Sequence, residues 1–336
     1  MKNYLLIVAA VLSLAASGCS TKPSPKTEKQ PVTDSLSASL ELLNQQLEKD
    51  PDNPGLLYER ALIFYENKLL DKGLADIEKA VSIDSTRSDY FLLRSDFYYA
   101  MNRIDDAGAS IEKAIKLDPK NKEANVKMGE LQYYLGNYLS AFKYLDDALR
   151  IDPFQAKVYF IKGMCFKENG DTALAISSFR TAVEQDPDYF HAYMQLANIY
   201  AAQDDPLAIN YYNNAIMVNP SMVEAHYGLA YYLQEHGKPD DAIKIYTDLL
   251  SIDPKNAPAM HNIGYIYLFY KGDAQGAITW LTQAVTADPD IVNGYYHRGY
   301  AYELMKDFAS ARKDYEKALQ LEPEFQLAKD RLKKLK

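Results

Sequence analysis

Little in this sequence suits a catalytic or metal centre. Two cysteines, Cys19 and Cys165, in 336 residues are too few for a disulfide-stapled scaffold or a four-thiolate zinc site. Fifteen glycines is a low number for this length, and no cluster of them forms a phosphate-cradling loop. A single tryptophan, Trp280, stands against 28 tyrosines. Basic residues are outnumbered, giving a net charge of −9, which argues against a phosphate-backbone partner. What remains is 48% apolar and 25% charged, the balance of a folded chain.

Long apolar stretches are also scarce. Residues 4–16 (YLLIVAAVLSLAA) make one of thirteen after Lys2. That is short of the about 20 residues that span a bilayer and suits the core of a secretory leader. The run ends in Ala16-Ser17-Gly18-Cys19, which resembles the bacterial lipobox, with Ala16 where leucine is commonest. The resemblance implies a signal peptide over 1–18, cleavage before Cys19, and acylation of the Cys19 thiol with diacylglycerol and palmitate. The alternative is ordinary cleavage after Gly18 with no lipid. Residues 19–33 then form the lipidated cysteine and a polar tether (STKPSPKTEKQPVT over 20–33). Such a tether reaches about 20 Å as a coil and about 43 Å as a polyproline helix. Two or three acyl chains hold stably where one is marginal. Ser20-Thr21, rather than an aspartate, follows Cys19; by the sorting rule of this class that implies the outer membrane of a bacterial envelope. Charge divides by region. Lys2 carries +1, residues 20–33 carry +2 and residues 326–336 carry +4, leaving −16 on residues 34–325. The tether suits an anionic lipid surface and the body does not.

The rest of the chain is periodic. An acidic residue or asparagine, usually before proline, recurs at Asp50, Asp84, Asp118, Asp152, Asp186, Asn219, Asp253, Asp288 and Glu322, with spacings of 34 except one of 33 and one of 35. Eight units therefore fill residues 54–325. Each has a small residue at its eighth position: Ala61, Ser95, Gly129, Gly163, Ala197, Ala230, Gly264 and Gly299. A second small set lies at Gly73, Ala107, Ala141, Ala175, Ala208, Ala242, Ala277 and Ala311. Large apolar residues fill the spaces between, with a period near 3.6 in each half-unit, which predicts two amphipathic helices per unit. Glycine, asparagine or aspartate between the halves ends the first helix, and proline after the marker ends the second. One such hairpin cannot bury its own apolar face; stacked neighbours do.

This pattern resembles the tetratricopeptide repeat family over residues 54–325. The resemblance implies an all-α, right-handed superhelix of about eight helical hairpins. The fifth unit is one residue short at Asp204-Asp205-Pro206 and the seventh one long near Lys271-Gly272, both in turns within the unit. Residues 34–53 supply a leading half-repeat helix. Residues 326–336 supply a capping helix, with Leu327, Leu332 and Leu335 inward and Lys329, Lys333 and Lys334 outward.

No catalytic constellation emerges, and no cofactor or metal is expected. The five histidines, His191, His226, His236, His261 and His297, occupy different repeat positions, so only a coincidence of stacking would join two of them. Cys165, between Met164 and Phe166, fits a buried inert thiol. In the family, repeat positions 2, 5, 9 and 12 of the first helices line a concave groove. Here ten of the 24 residues at positions 5, 9 and 12 are aromatic: Tyr58, Tyr65, Tyr99, Tyr133, Phe160, Tyr227, Tyr231, Tyr265, Tyr296 and Tyr300. The chain average is 12%, so this face is enriched more than threefold. The fifth unit offers Met194, Asn198 and Ala201 instead. These rings either line a partner-binding groove or pack between adjacent first helices, and a tyrosine can do both. The family's carboxylate clamp would need Lys and Arg around Asn198, where Met194 and Gly228 stand instead.

The sequence therefore points to a non-enzymatic, membrane-tethered scaffold that binds an envelope protein or peptide segment in the aromatic groove, with no nucleic-acid partner. A glycan-binding lipoprotein is the alternative.

Overall fold

The computed structural model describes residues 32–335. The leader, Cys19 and most of the tether lie outside the described residues. Every regular element among the described residues is an α-helix, and the chain divides into two compact units after Ser85.

The first unit holds α1 (Val32–Lys49), α2 (Pro54–Glu66) and α3 (Leu70–Ile83). α1 buries Leu43 and Leu47, one turn apart. α2 begins at Asn53, whose side chain accepts from the amides of Gly55 and Leu56, with Pro54 in its first turn. Both features stabilise a helix start. Arg60 of α2 donates to both carboxylate oxygens of Asp76 on α3, at 2.7 and 2.8 Å.

The second unit holds seven hairpins and a final helix. The hairpins are α4/α5 (Ser88–Ala100, Ile104–Leu117), α6/α7 (Lys122–Tyr134, Tyr138–Ile151), α8/α9 (Ala156–Glu168, Thr172–Gln185) and α10/α11 (Phe190–Ala202, Leu207–Val218). They continue with α12/α13 (Val223–Glu235, Pro239–Ile252), α14/α15 (Ala257–Phe269, Ala274–Ala287) and α16/α17 (Val292–Leu304, Phe308–Leu321), followed by α18 (Gln326–Lys334). With α2/α3, these are the eight units read from the period.

The small eighth position explains the close pairing within a hairpin. An added Cβ at Gly129 would lie 2.7 Å from Leu145, at Gly163 2.6 Å from Phe179, at Gly264 2.6 Å from Leu281 and at Gly299 2.9 Å from Tyr315. Each of those partners is fully buried on the second helix. Backbone proximity is thus exchanged for a large side chain opposite, the knob-and-gap packing of close helix pairs.

The turn within each unit is also repeated. A residue with positive φ falls at Lys68, Asn102, Gly136, Gly170, Asp204, Gly237, Gly272 and Lys306. In the third unit the amide of Asn137 donates to the Gln132 carbonyl at 2.8 Å and that of Gly136 to Tyr133 at 2.9 Å, the Schellman arrangement that satisfies terminal carbonyls. The extra residue of the seventh unit is absorbed here. Asp273 reaches back six residues to the Tyr267 carbonyl, where the other units reach back five. In the fifth unit the deletion follows Asp204, and α11 has 12 residues rather than 14.

One expectation fails at α18. Leu327 is 54% exposed; Ala328 is buried instead, with Leu332 and Leu335 packed behind it. Counted as a ninth first helix, α18 puts Ala328 in the third position, where five of the eight units carry Ala or Gly, and Leu327 one residue off that stripe.

Candidate aromatic groove

The first helices α12, α14 and α16 carry a continuous aromatic and polar network. On α12, Tyr227 and Tyr231 are one turn apart and their rings lie parallel at 6.5 Å. Tyr227 meets Tyr246 of α13 edge-on at 5.7 Å. Buried Asn262 of α14 joins the two by donating from Nδ2 to both hydroxyls, at 3.0 and 2.8 Å. Its Oδ1 is then the acceptor for His261 Nδ1, 3.1 Å away. That leaves His261 Nε2 bare, so the proton in its 2.8 Å contact with His297 Nδ1 belongs to His297. The hydrogen-bond chain from Tyr246 to His297 is satisfied with both imidazoles neutral.

This pairing corrects the expectation that the histidines stand apart. His261 is fifth in its unit and His297 sixth in the next, and the stack of α14 on α16 brings those positions together. Burial pushes both imidazoles below their usual range, His297 to about 3 with His261 adding to the effect. Burial likewise raises the Tyr246 phenol. Among the described residues no group of three or more His, Cys, Asp or Glu could hold a metal.

The rings continue outward from the histidines. Tyr265 packs on Phe269 at 4.5 Å and edge-on to His297 at 5.2 Å. Phe269 stacks on Tyr300 at 5.8 Å and 19°. Arg331 of α18 covers Tyr300 at 4.2 Å and pairs with Glu303 at 3.2 Å. Tyr296 is buried, held edge-on against Phe325 at 5.3 Å; its face is used in packing and offers no surface. Of the ten aromatic positions, Tyr99 and Tyr231 are exposed, Tyr296 is buried and the other seven are half-buried. Tyr58 and Tyr65 belong to the first compact unit.

At the C-terminal ends of the first helices three further rings are exposed outside positions 5, 9 and 12: Tyr134, Phe269 and Tyr270, at 43%, 46% and 44% exposure. Tyr134 and Phe269 are thirteenth in their units, and position 13 follows position 9 by one helical turn on the same face. The 3.6-residue period therefore extends the face formed by positions 5, 9 and 12 to position 13.

The α4, α6 and α8 stretch has another chemistry. Tyr99, Tyr133, Tyr134 and Tyr138 contact one another at 5.5–6.2 Å. Between them run ion pairs from helix to helix: Asp96 to Lys127 at 2.6 Å and Glu130 to Lys157 at 2.7 Å. Phe160 packs under Phe179 and Tyr189. The fifth unit carries Asn198, which accepts from the Tyr212 hydroxyl at 2.8 Å. Cys165 is buried, and burial raises its thiol to about 12, so it is not a nucleophile at neutral pH.

Tetratricopeptide repeat models match residues 92–156, 156–189, 207–263, 257–291 and 292–325. The chain is a tetratricopeptide repeat protein. It is 26% identical over 169 residues to human tetratricopeptide repeat protein 6, covering 49% of this chain and 32% of that one. It is 31% identical over 123 residues to protein O-mannosyl-transferase Tmtc3 of Drosophila melanogaster, covering 36% of this chain and 13% of that protein. The chain thus spans a third or less of the length of these curated relatives. Among solved structures, the C-terminal part of a TPR repeat-containing protein from Cytophaga hutchinsonii superposes with a TM-score of 0.53 at 24% identity, covering 68% of this chain and 94% of that one. That likeness speaks to the tetratricopeptide repeat fold.

Proposed function

We propose that this tetratricopeptide repeat protein is a non-enzymatic scaffold that holds an extended protein segment along α12, α14 and α16. The observation that carries this reading is the exposed ring series Tyr231, Phe269 and Tyr270, set on a floor of mutually braced rings and a satisfied hydrogen-bond chain. Rings locked at both edges offer contact area without ordering cost on binding. Most of the ring contacts are tilted or edge-on, which favours a peptide over the flat, separated platforms that suit sugars. A contiguous exposed aromatic surface is unusual without a partner.

The lipobox-like Ala16–Cys19 segment supports a second element of the proposal: acylation of Cys19 and attachment to a bacterial envelope membrane, with Ser20-Thr21 favouring the outer one. No described helix is long and apolar enough to cross a membrane, so anchoring in this proposal rests on the lipid. The partner is then an envelope protein, and the role is assembly of an envelope complex.

The groove is tested by replacing Tyr227, Tyr231 and Tyr265 with alanine and comparing proteins captured from native envelopes. A retained helical fold with lost capture supports it. Unchanged capture by the folded variant removes it.

A further inference from the structure

At the end of α12 an exposed carboxylate, Glu235, stands one turn beyond exposed Tyr231. The Tyr270 ring lies 6.4 Å from that of Tyr265; burial raises its phenol above the ordinary range, with Glu235, Tyr265 and Tyr231 adding to the effect. Among the described residues Glu235 forms no ion pair; its contact is with Gln234 Nε2 at 3.4 Å. Gln234 is itself buried, and its Oε1 has no donor.

Elsewhere the chain fills such ring-and-acid pairs with its own cations. Tyr300 and Glu303, three residues apart on α16, hold Arg331 over the ring at 4.2 Å and against the carboxylate at 3.2 Å. Asp96 and Tyr99, three apart on α4, have Lys127 at 2.6 Å from the carboxylate. Lys127 is sixth in the following first helix, and Arg331 is sixth in α18. The sixth residue after the Tyr231–Glu235 pair is Asn262, committed to Tyr227, Tyr246 and His261. No side chain of that register can neutralise Glu235.

We propose that Tyr231, Glu235 and Tyr270 form a subsite for a cationic side chain, the guanidinium of arginine or the ammonium of lysine, on the segment held in the groove. The inference rests on the groove reading above and gives the ligand a charge at one place. Ring faces attract a cation and the carboxylate supplies the charge-assisted hydrogen bond. A guanidinium has five donors, enough to serve Glu235 and further acceptors beside it.

The probe is the pentapeptide acetyl-Ala-Pro-Arg-Pro-Ala-amide, against the same peptide with citrulline, which keeps the shape and removes the charge. Both are titrated into the isotope-labelled full chain and followed by NMR. The arginine peptide should bind at least about fivefold more tightly. Glu235→Gln should abolish that preference, whereas Glu316→Gln, the same charge change at an exposed position of α17, should keep it. Equal binding of the two peptides overturns the subsite and leaves the groove standing. A preference that survives Glu235→Gln also overturns it. Binding of neither peptide, with no shift at Tyr231 or Phe269, counts against both readings.

Discussion

His261 and His297 face each other at 2.8 Å inside a ring cluster, and their state sets a pH dependence. Tyr265, Phe269 and Tyr296 pack against His297, and Tyr265 and the Asn262 amide, itself bonded to Tyr227 and Tyr246, adjoin His261; a charge on His261 would oppose one on His297. No carboxylate contributes to holding either proton. Folded pKa values lie below the unfolded value of about 6.5, so protons bind the unfolded chain preferentially. The stabilising effect of keeping this pair neutral is therefore complete above about pH 6.5 and falls as pH drops towards the folded value of about 3 for His297. By pH 5 about 2 kcal/mol of that effect is lost through His297. His297→Phe should flatten the decline of the chemical-denaturation midpoint between pH 7 and pH 4; an equally steep decline in the variant would show that the pair is not its source. The pair could not be read from the sequence, since its members are 36 residues apart at unlike repeat positions. Residue type at those positions was legible; their convergence depends on the stagger between α14 and α16, which no single-helix period encodes.

Turns and close helix pairs carry the regularity of the elements. All eight units place one left-handed residue in the turn within the unit, although only four of the eight are glycine. Lys306 adopts φ +64 and Gly170 φ +86. A side chain at positive φ costs about 1 kcal/mol that glycine avoids. Lys306→Gly should therefore raise the stability of the folded chain by about that amount, and Gly170→Ala should lower it, in urea titrations; the same sign for both would refute the turn account. The eight hairpins were legible because the marker, the two small stripes and the turn residues repeat together and point to one answer. Tyr134 and Phe269 were not, because they stand at position 13, one turn past position 9 and outside the family's groove positions. Tyr296 occupies a groove position of the repeat, yet Phe325, the last residue of the eighth unit, covers it.

Across the whole molecule, the two proposed parts carry opposite charge: +2 on residues 20–33 and −16 on residues 34–325. The basic segment suits an anionic bilayer, while the acidic body would be repelled from it, so attachment depends on the Cys19 lipid in this account. Cys19→Ser should move the chain from the membrane fraction to the soluble fraction, and mass spectrometry of the native N-terminus should show acyl chains; an unmodified Cys19 in a membrane-bound chain would remove the lipid anchor. The body is the part whose claim matters most, because the scaffold reading depends on one stretch of α12, α14 and α16. The most direct test is a photocrosslinking amino acid placed at Phe269 and, for comparison, at Glu316 in the native cell. The account predicts a discrete protein adduct at 269 that is absent at 316 and lost in the Tyr227, Tyr231, Tyr265 alanine variant. Identical adducts at the two positions, or none at 269, would contradict it.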